Sequence, residues 1–162
     1  MIEVAKEFWH FSLALYAEPG VGPACLELQD SHGCDVILAL YCCWLGASGR
    51  GRLDAAAIAA ADAALSPWRQ GVIERLRDAR RGIKALGGPE TLYAKVKAVE
   101  LEAERQAHDR LAALAPPPRA GLPPSERQGD AAANLSAYVG EAALGKAAPL
   151  IAALADVVPS EA

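Results

Sequence analysis

The run Val36–Ala47, VILALYCCWLGA, constrains this chain more than any other stretch, because it is apolar on every side when wound as a helix. A helix without a polar face has nothing to offer water and must be enclosed by other elements. The uncharged stretch around it is also too short to cross a bilayer, which takes about 20 apolar residues. It is therefore read as the central helix of an all-α protein, with Asp35 just ahead of it as the N-cap.

Composition agrees. The apolar fraction of 52% is inflated by alanine while aromatics are only 6%, which favours closely packed helices over a β-sandwich or barrel. A chain of 162 residues suffices for one domain with a core and falls short of two ordinary domains with a linker. The net charge of −4 argues against a protein devoted to nucleic-acid backbone. Cys25, Cys34, Cys42 and Cys43 all fall in the first third, and vicinal cysteines on a helix point about 100° apart, which keeps them from bridging each other. The opening run has no basic stretch, and Glu3, Lys6, Glu7 and His10 interrupt its apolar residues, so it does not read as a signal peptide. These features predict a cytoplasmic protein with reduced thiols and no membrane partner.

Along the chain, Val4, Phe8, Phe11 and Leu15 predict an amphipathic helix over 2–17, stopped by Glu18, Pro19 and Gly20. A short second helix follows from Gly22 and Pro23, with Ala24, Cys25 and Leu28 inward and Gly33 as its C-terminal cap. Past the central helix, ASGRGR reads as a polar loop and Asp54 as the N-cap of a helix over 55–65. Ser66 and Pro67 read as the cap and first turn of the next helix, whose inward side is predicted as Trp68, Val72, Leu76, Ala79, Ile83 and Leu86. Its other side carries Arg77, Arg80, Arg81 and Lys84 on one stripe. A long helix over 89–114 is expected to bury Leu92, Val96, Val99, Ala103, Ala107 and Leu111 and to turn Glu100, Glu102, Glu104 and Arg105 outward.

Residues 116–129 hold five prolines and no apolar periodicity, and read as a semi-rigid, non-helical linker. Residues 130–157 return to helical spacing through Leu135, Tyr138, Val139 and Leu144, interrupted near Gly145 and Pro149. The predicted organisation is a single bundle of about five to six helices over 1–114, a linker over 115–129 and a C-terminal helical extension over 130–162.

The segments FWHFSLALYAEPGV, ACLELQDSHGCDV, CCWLG, the later Trp68, LRDARRGIK and KAVELEAE, in this order, resemble a family of short proteobacterial proteins known as a domain of unknown function, DUF2390. The resemblance covers roughly residues 7–114. It implies a bacterial, cytoplasmic protein and assigns no catalytic residue.

Asp30 and Asp35, five apart across a glycine, could approach one divalent cation, but a helix-terminal contact plus an N-cap is the commoner use of such a pair. No short-spaced CxxC or HxxxH pair supports zinc, and the cysteines read as small core residues, with Cys34 the one near a histidine and a helix start. No metal, cofactor or catalytic residue is assigned, and no Walker A, GxGxxG, HExxH or GxSxG motif is present.

The strongest polar feature is the stripe Arg77, Arg80, Arg81 and Lys84, because four cations on one face repel unless something acidic stands opposite. Pairing with Glu100 and Glu104, and with Asp30 or Asp35, is the plain structural expectation. The functional expectation is a non-enzymatic interaction module that presents the stripe to an acidic protein partner or a phosphate-bearing ligand, not to nucleic acid. The alternative is a small-ligand-binding protein or enzyme with a pocket between the central helix and the arginine helix, lined by Asp30, Asp35, Arg77 and Arg81. A self-associating homo-oligomer is a third class.

Overall fold

A computed structural model describes residues 2–158, and all of its regular structure is helical. The helices are α1 (Ile2–Ala17), α2 (Val21–His32), α3 (Val36–Ala47), α4 (Ala55–Trp68), α5 (Glu74–Ala85), α6 (Glu90–Ala112), α7 (Pro124–Val139) and α8 (Leu144–Val157). A π turn, Arg69–Ile73, joins α4 to α5 without a break, so the eight α-helices make seven rods, five within residues 1–114, as expected of the bundle, and two beyond them. Residues 159–162, the end of the expected extension, lie outside the described residues. No single helix among the described residues is long and apolar enough to cross a membrane.

Helix α3 is the centre. Every residue from Ile37 to Ala47 is buried. Asp35 caps it, its carboxylate accepting the Leu38 amide at 2.8 Å. Phe8 of α1 stacks on Trp44 with ring centroids 4.9 Å apart and meets Tyr41 edge-on at 5.6 Å. The local punctuation of neighbouring elements also follows the sequence: Gly33 ends α2 in the left-handed conformation that glycine adopts without strain, and Asp54 caps α4.

The most extensive helix pairing joins α3 to α7. Gly46 makes it feasible, because a Cβ there would lie 2.0 Å from the Ala131 amide nitrogen and 2.5 Å from the Asp130 carbonyl carbon. Buried Asn134 stitches the pair to the following loop, donating to the carbonyls of Cys42 (3.2 Å) and Gly51 (3.0 Å) and accepting the Leu53 amide at 2.7 Å. Residues 130–157 thus supply core side chains, among them Leu135, Leu150 and Leu154.

Local expectations fail in four places. Residues 124–129 are helical, since proline is well tolerated in a first helical turn and Pro124 opens α7. The break before α8 falls at Gly140, and Pro149 lies inside α8. Pro67 also sits inside a helix, followed two residues later by the π turn. The fourth concerns faces. A π turn closes i→i+5 bonds and so takes more residues than an α turn, which rotates everything after it. Ile73 becomes the buried residue, Ala79 and Leu86 face water, and Arg77 and Arg80 swing towards α6. On α6, Ala103, Ala107 and Leu111 are buried as expected, but Leu92 and Val99 are about half exposed and Glu100 is buried at 5% exposure.

Candidate functional site

Helices α1, α2, α3, α5 and α6 line a half-open cavity of about 440 Å³. Ile37, Leu40 and Ile73 form its apolar wall, while the half-exposed side chains of Leu13, Tyr16, Leu26 and Leu101 also line it. The opposite wall is ionic. Arg77 donates to Glu100 at 3.1 Å, to Glu104 at 3.3 Å and to Gln29 at 3.0 Å. Arg80 pairs with both oxygens of the same Glu100 carboxylate and lays its guanidinium over the Tyr93 ring, 5.8 Å from the centroid.

Burial raises the Glu100 carboxyl, but the bonds and charges from Arg80 and Arg77 more than reverse it, leaving the group below its ordinary value. Glu104 goes the other way: burial raises it, Arg77 lowers it, and its neighbour Glu100 raises it again, with a net rise. One glutamate is thus a firm anion and the other is easier to protonate than usual.

At the cavity's inner end, His108 and Ser12 are both buried at 4% exposure. His108 Nδ1 lies 2.8 Å from the Glu104 carbonyl oxygen, which can only accept, so this nitrogen carries the hydrogen. Nε2 is then free to accept the Ser12 hydroxyl, 3.0 Å away. Burial lowers the His108 pKa, against opposing effects from the Glu104 carbonyl, Asp109 and Asp35, and holds the ring neutral near pH 7. Phe8 packs on the ring at 4.4 Å and Trp9 meets it edge-on at 5.0 Å.

A second recess of about 470 Å³ shares Gln29, Asp35, Arg69 and Arg77 with the cavity. Here the Asp35 amide donates to the Tyr138 hydroxyl at 2.7 Å. The cation facing Asp35 is Arg69, at 3.6 Å, which also holds Asp62 at 2.8 Å. Arg69 belongs to the π turn, not to the arginine stripe that was expected to serve Asp35.

Of the sequence-predicted site residues, the cavity brings together Asp35, Arg77, Arg80 and Arg81. Asp30 stays outside it, exposed on α2, where it accepts a hydrogen bond from Gln29 at 3.4 Å. Lys84 also lies outside, and neither Arg81 nor Lys84 makes an ion pair among the described residues. All four thiols are free and buried. Burial pushes Cys25 up to about 11 and Cys42 to about 12. Cys34 is likewise raised by burial and by Asp35, and its sulfur lies 3.8 Å from the His32 carbonyl oxygen. Among the described residues no three metal-ligating side chains cluster.

Gln29, Arg69, Ser12 and His108 were missed from sequence. A signal existed for Ser12, which shares the inward stripe of α1 with Phe8 and Leu15 at spacings of four and three. A polar residue on a buried stripe needs a partner.

Nearly all of this geometry comes from one contiguous stretch, and that stretch matches a known family. The chain belongs to the family described as Protein of unknown function (DUF2390), whose profile matches residues 7–111. No curated protein and no solved structure matches the chain. Every residue lining the first cavity falls within the family segment, whereas the second recess borrows Tyr138 and Val139 from beyond it.

Proposed function

We propose that this protein binds a small amphiphilic molecule, an apolar body with an anionic head, in the cavity between α3 and the α5–α6 pair. The observation that carries the reading is the cavity's mixed lining: aliphatic side chains from α3 and guanidinium groups from α5 border the same space. Its volume lies within the few hundred Å³ typical of small-molecule sites. Arg81 lines it with no carboxylate partner among the described residues, and is the cation available to an anionic head.

Titration calorimetry with decanoate tests this. One saturable site per chain is expected, and Ile37→Trp, which grows an indole into the cavity, should abolish it while the far-UV circular dichroism spectrum shows the fold retained. Absence of saturable binding, or equal binding by the variant, would reject the proposal.

The alternative reading, a stripe docked on an acidic protein partner, is weaker because Glu100 and Glu104 occupy Arg77 and Arg80 internally. What favours it is the exposed tip of the α5–α6 pair, where Lys84 and the 89% exposed Leu86 stand free of the bundle. Co-sedimentation with polyglutamate, lost in Lys84→Gln, would support it. The four unpaired thiols favour a reducing, cytoplasmic setting.

A further inference from the structure

We infer that Ser12 is a nucleophile with His108 as its general base, so that the cavity accepts activated esters of medium-chain carboxylic acids and transfers the acyl group first to Ser12 and then to water. This rests on reading the cavity as a ligand site and adds a reaction to it. The geometry has the parts that nucleophilic catalysis requires: a hydroxyl in hydrogen-bond reach of a base, and a third group that orients the base. The 3.0 Å Ser12–His108 contact is the first. The 2.8 Å contact from Nδ1 to the Glu104 carbonyl is the second, and it fixes the tautomer that leaves Nε2 able to take a proton. Both side chains line the cavity and are themselves buried at 4% exposure. The thiols are poor competitors: Cys25, Cys42 and Cys43 are raised by burial, and no cysteine lines the cavity.

The steps balance. Ser12 Oγ attacks the ester carbonyl carbon while its proton passes to His108 Nε2. The tetrahedral intermediate collapses, the bond to the leaving alcohol breaks, and the alkoxide takes the proton from Nε2. Water, giving a proton to the same nitrogen, then attacks the Ser12 ester, and the expelled serine oxygen recovers that proton as the carboxylic acid departs. Arg81 lines the same cavity with no ion pair among the described residues, a positive charge that favours the anionic intermediate.

The test uses the full chain, an alkyl fluorophosphonate with a ten-carbon arm, a small diisopropyl fluorophosphate, and intact mass followed by peptide mapping. Ser12 Oγ displaces fluoride, so one covalent adduct at Ser12 is expected with either reagent. It should vanish in Ser12→Ala and form roughly 100-fold more slowly in His108→Gln, the size of a general-base contribution. Wild-type protein unlabelled at Ser12 by both reagents would overturn the inference, as would labelling at an unchanged rate in His108→Gln. Decanoate titration scores the cavity separately: binding without labelling leaves the cavity and removes the chemistry, and labelling by the small reagent without decanoate binding does the reverse.

Discussion

Replacing Glu100 with Gln is the sharpest probe of the ionic wall. The change keeps the shape of a side chain that is 7% exposed and removes the one charge shared by Arg77 and Arg80. Breaking a buried ion pair by removing one partner costs about 3–5 kcal/mol. Here the guanidiniums are a fifth exposed, Arg77 keeps Glu104 and Gln29, and Arg80 keeps Tyr93. That relief brings the expected loss to about 2–3 kcal/mol. For a chain of this size each kcal/mol moves the melting temperature by roughly 2–4 °C, so a drop of about 5–10 °C is expected. Urea unfolding at pH 7 should show a lower midpoint with an unchanged slope, and the exposed Glu102→Gln should stay within about 0.5 kcal/mol of wild type. The folded-state pKa of Glu100 lies below its ordinary 4.5, so its contribution is present above that value and disappears as pH falls through the depressed one. Variant and wild-type stabilities should therefore converge in acid. Decanoate should bind the variant more tightly, because two guanidiniums are released from their carboxylate. A variant as stable as wild type at pH 7 would refute the reasoning.

Gly46→Ala should destabilise by more than the about 1–3 kcal/mol usual for overpacking, because the added methyl meets the α7 backbone and not a movable side chain. On an undocked α7 the same change would stabilise α3 by about 1 kcal/mol, so the sign of the shift in the urea midpoint decides between the two arrangements. His108, whose pKa is lowered from 6.5 by burial, contributes stability that is fully present above that pH and lost as pH falls towards the folded-state value. The stability difference between wild type and His108→Gln should therefore shrink between neutral and mildly acid pH, and a difference that grows would contradict a buried neutral ring.

Much of the fold was legible in residue order alone. The enclosure of Val36–Ala47, the caps at Gly33, Asp35 and Asp54, and the inward residues Phe8 and Leu15 all follow from interactions within a few residues of each other. The candidate site was half visible. The arginines and Asp35 stood out by type and spacing, and pairing with Glu100 and Glu104 could be foreseen from charge repulsion. Which arginines turn inward could not, since periodicity projected through Pro67 assumes a uniform α-helix and the π turn breaks that assumption.

The sequence by itself determined that this chain is helical, where most helices begin and end, and which one must lie at the centre, because periodicity, capping and the exclusion of water from apolar surface act locally. Only the tertiary structure decided what surrounds the cavity. Glu100 reaches Arg77 across 23 residues, Tyr138 reaches Asp35 across 103, and Ser12 meets His108 across 96. Contacts at such separations depend on how rods pack, and here that packing depends on Gly46 admitting α7 and on the π turn setting the face of α5.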